Sequence, residues 1–334
     1  MDFSLVSLKS KFMKNIIGID ISSKTLDICV KGLATEHFTI ENQPSAIKAF
    51  FKRYQGQEAI VAMENTGRYN WNLFEVLPGF AFKVYVISPL HLKKSMGLIR
   101  GKNDKIDASR ICSFIEKNHA EAALWKPASP GVKRIKVLLS ERSSRVRMKS
   151  QLLKQQHDYK LMKGISLDKE LLKLNKKLIE AVERQLKEIE ARIEATVQED
   201  PQLKEQAQLI RSVPGVGKVL SWMMLAKTEG FAILNNPRKM ACYCGVVPFD
   251  FQSGTSLRNK PVSFYADKSM KSILHLAAMS AIRLNNDLRA YYQRKVEEGK
   301  NKMAVLNAVR NKIIHRIYAV IKNQTTYVND LVLS

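Results

Sequence analysis

Four carboxylates at three places in the chain have the residue type and spacing for metal chemistry: Asp20 in IIGIDISS, Glu64 in IVAMENTG, and Asp104 with Asp107 in GKNDKIDAS. Each stands where an apolar run ends or a helix begins, positions from which side chains can converge. Carboxylates gathered without basic partners repel one another, and Mg²⁺ or Mn²⁺ makes such a group tolerable. In a chain that attracts phosphates, the arrangement points to metal-assisted phosphodiester chemistry. A bland reading stands beside it, since Asp104 suits a helix N-cap and Asp107 suits the dipole of a first turn. Asp20 resists that reading, because a carboxylate directly after IIGI is costly unless something offsets its burial. Asp27 reads as a solvated strand residue and is left out of the group.

The composition names the partner class. With 334 residues, 45% of them hydrophobic, the chain is long enough for two globular domains. A net charge of +24 calls for a polyanion, and nucleic acid is the leading candidate. A membrane is the rival, but no apolar run reaches the roughly 18 residues a spanning helix needs. The first fifteen residues carry Lys9, Lys11 and Lys14 and do not read as a signal peptide, so the expectation is a cytoplasmic protein. Cys29, Cys112, Cys242 and Cys244 fit reduced thiols; one closely spaced pair without a second does not make a zinc site.

The elements that must position the acids follow from periodicity. IIGID, TLDICV and HFTI read as an antiparallel meander, PSAIKAFFKRY as a helix, and EAIVAMEN as a buried strand. A helix over 68–76, the buried strand FKVYVISP and the helix DKIDASRICSFIEKN complete the order βββαβαβα, that of an RNase H-like α/β fold. Neighbouring strands would bring Asp20 and Glu64 to one edge of the sheet, and Asp104 and Asp107, three apart on a helix, share a face. This first domain spans 15–124.

WKPASPGV then reads as a linker, opening a middle region over 125–205. There, Lys133, Arg134, Lys136, Arg142, Arg145, Arg147 and Lys149 crowd one helical stretch, a face suited to a phosphate backbone or simply to solvent. Leu171, Leu174, Leu178, Val182, Leu186, Ile189, Ile193 and Val197 recur at coiled-coil intervals, able to close a hairpin with residues 133 to 160 or to form a dimer; the oligomer, a dimer or tetramer, is the favoured expectation.

The last domain, over 206–325, reads as mainly α. LIRSVPGVGKVLSWMM has the pattern of a helix-hairpin-helix, with Gly215, Gly217 and Lys218 suited to one DNA phosphate, or a packing turn instead. ACYCGVV reads as strand-like up to Pro248, followed by the loop QSGTS, which exposes Ser253 beside Arg258 and Lys260. A hydroxyl is a poor nucleophile at neutral pH unless a base or metal activates it, so Ser253 alone reads as a turn residue. Helices over 268–285, 287–298 and 302–321 follow, on which His275 and His315 read as packed core residues.

IGIDISSKTLDI, AMENTGRYNW and KNDKIDA, in that order and at these separations, resemble the three signature blocks of the DEDD transposases of the IS110 family of bacterial insertion sequences, over roughly residues 15 to 120. The resemblance implies a RuvC-like first domain and carries the metal-binding role to Asp20, Glu64, Asp104 and Asp107. It also implies a carboxy-terminal transposase domain whose serine, in a P-x-x-x-x-SG context, attacks DNA and becomes covalently linked to it; the matching residue here is Ser253. Downstream the likeness loosens, because many relatives have a glycine ahead of the next helix and an arginine inside it, where this chain has Asp267, Lys268 and Lys271. A structured guide RNA that pairs with donor and target DNA is a further implication, bound by the basic helices through shape and phosphate.

The expected function is therefore a Mg²⁺- or Mn²⁺-dependent DNA transposase with a composite site of four acids and Ser253. A junction-resolving hydrolytic nuclease is the first alternative and a non-enzymatic nucleic-acid-binding protein the second.

Overall fold

Strict alternation explains the first sheet. The computed structural model describes residues 14–95, 104–162, 168–247, 252–253, 256–257 and 266–329, and the chain divides into two units, Met1–Pro127 and Ala128–Ser334. In the first unit, strands β1 (Asn15–Ile21), β2 (Thr25–Lys31), β3 (Thr35–Glu41), β4 (Ala59–Glu64) and β5 (Lys83–Ile87) form one sheet in the order β3-β2-β1-β4-β5. The first three strands are antiparallel, and β4 and β5 run parallel to β1. Ile17, Ile19 and Ile21 of β1 and Val61 and Met63 of β4 bury one face against Ile47, Phe50 and Phe51 of helix α1 (Pro44–Lys52) and Leu73 of helix α2 (Trp71–Val76). Ile60 and Ala62, on the alternate positions of β4, bury the other face against Ile111 and Ile115 of helix α4 (Asp104–Asn118). A short helix, α3 (Pro89–Ser95), follows β5. A mixed five-stranded sheet covered on both faces is consistent with the RNase H-like expectation.

The second unit is mostly helical among its described residues. Helices α5 (Pro130–Leu161) and α6 (Asp168–Glu199) pair antiparallel, as ion pairs of Arg134 with Glu199, Arg142 with Glu190 and Lys149 with Glu183 register them. Of the two arrangements open to the amphipathic helix, the intramolecular hairpin is the one found. The buried seam is not the expected stripe, for Leu174 and Leu178 are exposed at 58% and 55%, while Asn175 and Ile179 point inward. Asn175, Ile179, Val182, Leu186, Ile189, Ile193 and Thr196 keep the alternating four-and-three spacing of a seam that meets one partner; the expected list takes three steps of four in succession from Leu174 to Leu186 and drifts off it. Asn175 reaches Gln155 across the pair at 3.5 Å.

At its base the hairpin shares a core with the remaining helices through Val132, Ile135, Ile193 and Val197. These are α7 (Pro201–Ser212), α8 (Lys218–Thr228), α9 (Pro237–Tyr243), α10 (Lys268–Ala281), α11 (Asp287–Glu297) and α12 (Lys302–Asn323). The segment ACYCGVV is not strand-like: Asn236 caps the backbone N–H groups of Arg238 and Lys239, Pro237 takes the first helical position, and α9 runs into it. His315 is exposed rather than packed, because it falls between the buried Ile314 and Ile317 on the outer side of α12. No helix is long and apolar enough to cross a membrane among the described residues.

Candidate functional site

Strand register brings two of the acids side by side. β1 and β4 pair in parallel with Gly18 opposite Ala62 and Ile19 opposite Met63, so Asp20 and Glu64 occupy the next position along each strand, at the carboxyl end of the sheet. Alternation from Gly18 and Ala62 puts both on the face covered by α4. That face is reached closely. A side chain at Gly18 would stand 2.5 Å from the Ala108 carbonyl oxygen and 2.6 Å from the Cys112 nitrogen, so glycine lets α4 lie on the backbone of β1. Cys112 Sγ fixes the approach by donating to the carbonyls of Cys29 at 3.0 Å and Ile16 at 3.3 Å. Asp107 immediately precedes Ala108, and Asp104 opens the helix one turn earlier. The two strand acids and the start of α4 therefore lie at the same end of the sheet.

The turn after β4 holds Glu64 in place. Buried Asn70 donates to the Glu64 carbonyl at 3.0 Å and accepts from the Thr66 backbone N–H at 2.9 Å and its hydroxyl at 2.7 Å. Asp20 Oδ1 accepts from the backbone N–H of Ile21 at 3.1 Å. Asp107 is not without a basic partner: Arg110, one turn on, reaches it at 2.5 Å. The Asp104 side chain lies outside the described residues, and among the described residues no three His, Cys, Asp or Glu side chains form a group that could hold an ion.

Asp27 belongs to this end of the sheet and was missed. It is buried rather than solvated, sits directly opposite Asp20 in the antiparallel register of β1 and β2, and accepts from Thr39 Oγ1 at 2.6 Å. Like charges directly opposite on paired strands repel. The signal was available in the pleat, because Asp27 alternates with the buried Leu26 and Ile28 exactly as Asp20 alternates with Ile19 and Ile21. Carboxylate oxygens are the hard ligands that suit Mg²⁺ or Mn²⁺, and the strand register sets these acids at one level of the sheet without closing the described side chains into one group.

In the second unit, Ser253 lies in a two-residue strand, β6 (Gln252–Ser253), and pairs with Ser256 of β7 (Ser256–Leu257). Its side chain, Arg258 and Lys260 lie outside the described residues. What can be seen is the root of the segment that carries it. The Asp267 backbone N–H donates to the Tyr243 carbonyl at 2.9 Å, and a side chain at Gly245, where φ is +62°, would meet the Ala266 Cβ at 2.5 Å. Asp267 caps α10, accepts from the Tyr243 hydroxyl at 3.0 Å and pairs with Lys227 at 2.7 Å. Burial pushes the Asp267 carboxyl up, but Lys227, Ser269 and the Met270 backbone N–H outweigh it and hold the group well below the carboxylate range.

The basic face of α5 is largely occupied. Arg134, Lys136, Arg142, Arg145 and Lys149 all have carboxylate partners, Glu199, Glu229, Glu190, Glu141 and Glu183. Lys133 and Arg147 have no carboxylate partner among the described residues. The glycine turn divides its duties in the same way. Gly215, at φ +81°, lies so close to α10 that a side chain would meet the Ala277 carbonyl at 2.3 Å, whereas Gly217 has open space beside it and leads with Lys218 into α8. Gly215 is thus a packing residue, and Gly217 and Lys218 remain exposed at a helix start.

Comparison with known proteins finds two matching stretches, the first of which runs past the boundary between the units and through α5. Residues 17–164 match a family model described as a transposase, of the DEDD type of IS110 elements. Residues 207–293 match one described as the IS116/IS110/IS902 transposase family. The chain is 25% identical to the pilin gene-inverting protein of Moraxella bovis, across 94% of this chain and 98% of that protein. It is also 27% identical to a 42 kDa protein of the insertion element IS900 of Mycobacterium paratuberculosis, across 40% of this chain and 34% of the relative. A 43.6 kDa protein of the IS110 element of Streptomyces coelicolor is 24% identical across 44% of this chain and 35% of the relative.

Proposed function

We propose a mechanism for a chain that belongs to the IS116/IS110/IS902 family of transposases and is a DNA transposase or recombinase of an insertion sequence. In it, Asp20, Glu64, Asp104 and Asp107 hold a divalent ion, Mg²⁺ or Mn²⁺, and Ser253 is the nucleophile. The ion supplies polarisation of the scissile phosphate and stabilises the charge of the transition state. The observation that carries this reading is the placement of Asp20 and Glu64 at the same level of adjacent parallel strands, on the face where α4 begins with two more acids. Asp27, directly across from Asp20, adds to the repulsion that a cation relieves.

The serine step balances without any co-reactant. Ser253 Oγ forms a bond to phosphorus and loses its proton, the bond from phosphorus to one DNA oxygen breaks, and that oxygen leaves as a hydroxyl carrying a proton. Attack by a DNA hydroxyl on the phosphoserine reverses the exchange and joins a new end. The number of phosphodiester bonds is conserved, which suits recombination and not degradation.

DNA is one partner, and a structured guide RNA is the second. Support for the RNA is the net charge of +24 together with the family resemblance. Lys133, Arg147, Gly217 and Lys218 are the contacts favoured by their free or exposed state, and Arg258 and Lys260 are assigned on sequence alone. More than one copy of the chain is expected to act together, since strand exchange needs several cuts.

A denaturing gel tests the proposal. Metal-dependent covalent linkage of protein to labelled DNA, absent in Ser253→Ala and in Asp20→Asn, is the expected result. Free nicked ends produced by Ser253→Ala would instead establish hydrolysis, and strand exchange that survives Asp20→Ala would remove that acid from the mechanism.

A further inference from the structure

Arg310 is a buried cation without an anion among the described residues. It lies on α12, outside both segments that match the family models, and is only 6% exposed. Its Nη1 donates to Asn307 Oδ1 at 3.3 Å and its Nη2 stands 2.7 Å from His275 Nδ1 on α10, while buried Nε has no partner. Neither partner is a carboxylate. A guanidinium has five N–H donors and stays charged, so burial against neutral acceptors alone is unfavourable, and burial does lower its proton affinity here. Other buried or half-buried arginines of this unit are treated differently: Arg211 meets Glu194 through two bonds of 2.8 Å, and Arg316 meets Asp287.

The surroundings are arranged for an anion. Lys271 lies one turn before His275, on the same side of α10, and has no carboxylate partner among the described residues. The nearby Asp267 is already engaged by Lys227. Asn307, which holds Arg310, also donates to the Val246 carbonyl at 2.6 Å, and a side chain at neighbouring Gly245 would stand 3.9 Å from the Lys271 stem. The guanidinium is thus tied by one side chain to the point where the chain departs toward Ser253. His275 and Asn307 are half-exposed, so an incoming anion can replace either as acceptor.

We propose that Arg310, with His275 and Lys271, forms a phosphate-binding site at the root of the Ser253 segment, taking a phosphodiester of a nucleic-acid backbone or a free phosphate. Arginine offers planar paired donors to phosphate oxygens, and the lysine adds a second charge. The site goes beyond the serine mechanism and does not depend on it, because binding is read without catalysis.

The test follows the His275 ring in the full-length protein. With ¹³C-labelled histidine the chain gives six ring signals, one per histidine, and His275→Gln assigns the one of interest. Inorganic phosphate, titrated at constant ionic strength, is expected to shift the His275 signal and not that of the exposed His315. The shift should disappear in Arg310→Met, which keeps the packing volume and removes the charge, and in Lys271→Met, which leaves the buried arginine alone, it should need several-fold more phosphate. A thymidine dinucleotide, carrying one phosphodiester, separates the sources: a shift by both probes identifies a backbone site, and a shift by inorganic phosphate alone identifies a free-phosphate site. A His275 signal that neither probe moves, or a shift that persists undiminished in both Arg310→Met and Lys271→Met, overturns the proposal.

Discussion

Two groups of charges, one in each unit, are held by different means. At the carboxyl end of the sheet, Asp20, Asp27 and Glu64 are carried by the backbone itself, on paired strands whose alternate residues are wholly buried. In the helical unit, charges are matched one against another: Glu194 with Arg211, Asp267 with Lys227, Asp287 with Arg316. The first arrangement sets acids at one level of neighbouring strands, where the scaffold holds them. The second contributes to the scaffold. An acid that strains its surroundings is one whose removal should spare the fold, and an acid that bonds its surroundings is one whose removal should harm it.

The sharpest way to break that contrast is to neutralise the sheet acids. Asp20→Asn and Glu64→Gln are each expected to lower recombination on the order of 10³-fold or more, as for members of a catalytic set that acts as a unit. Their folding stability should stay within about 1 kcal/mol of the parent in metal-free buffer, or rise, because repulsion is relieved. Thermal unfolding with and without Mn²⁺ checks both halves, since the parent should be stabilised by the ion and the variants less so. A large loss of stability in metal-free buffer would move these acids into the structural class.

Gly18→Val attacks the same site through the scaffold. The new side chain meets the Ala108 carbonyl and the Cys112 backbone, neither of which is the end of a flexible group, so α4 must shift. A loss of about 3 kcal/mol in denaturant unfolding is expected, at the upper end of overpacking costs, with recombination falling as α4 and its two acids move. Unchanged stability would mean that α4 does not rest on β1 as described.

Glu194→Gln tests the helical unit. Hydrogen bonding from Arg211 holds the Glu194 carboxyl down at about 2, from an ordinary 4.5, and the Trp222 indole also donates to it. Because the folded value is depressed, the stability it contributes is fully present above about pH 4.5 and is lost as pH falls toward 2. The substitution should cost about 2 kcal/mol at neutral pH and flatten that part of the acid-unfolding curve. Activity per folded molecule should not change, in contrast with the sheet acids.

The same contrast sets how much could be read in advance. Strand pairing is nearly local: IIGID and AIVAME are short apolar runs that each end in an acid, and the alternation of the pleat sets the face of that acid, so the sheet and the level of Asp20 and Glu64 were legible. Asp27 obeyed the same alternation and was passed over because acids in strands are commonly solvated. In the helical unit the decisive pairings join residues far apart, such as Arg310 with His275 and Lys227 with Asp267, and no spacing in the sequence announces them. The hairpin seam shows the limit between the two. Its four-and-three rhythm is in the sequence, yet choosing Asn175 and Ile179 over Leu174 and Leu178 needs the partner helix, since hydrophobicity alone favours the leucines.

The basic face of α5 offers the finest discrimination, because it contains both kinds of charge on one helix. Arg134 is exposed and paired with exposed Glu199 at 2.9 Å, a contact worth about 0.2–1 kcal/mol. Arg147 has the Ser143 carbonyl at 3.4 Å from its Nε and no carboxylate among the described residues. If this helix follows a nucleic-acid backbone, a phosphate must compete with Glu199 for Arg134 but meets no rival carboxylate at Arg147. Arg147→Ala should therefore weaken nucleic-acid binding and reduce the slope of log affinity against log salt by about 1, the signature of one lost phosphate contact. Arg134→Ala should change that slope less and stability by no more than about 1 kcal/mol. Equal slopes for the two variants would show that the pairing across the hairpin does not govern which arginines are available, and that α5 presents its charges as a uniform field.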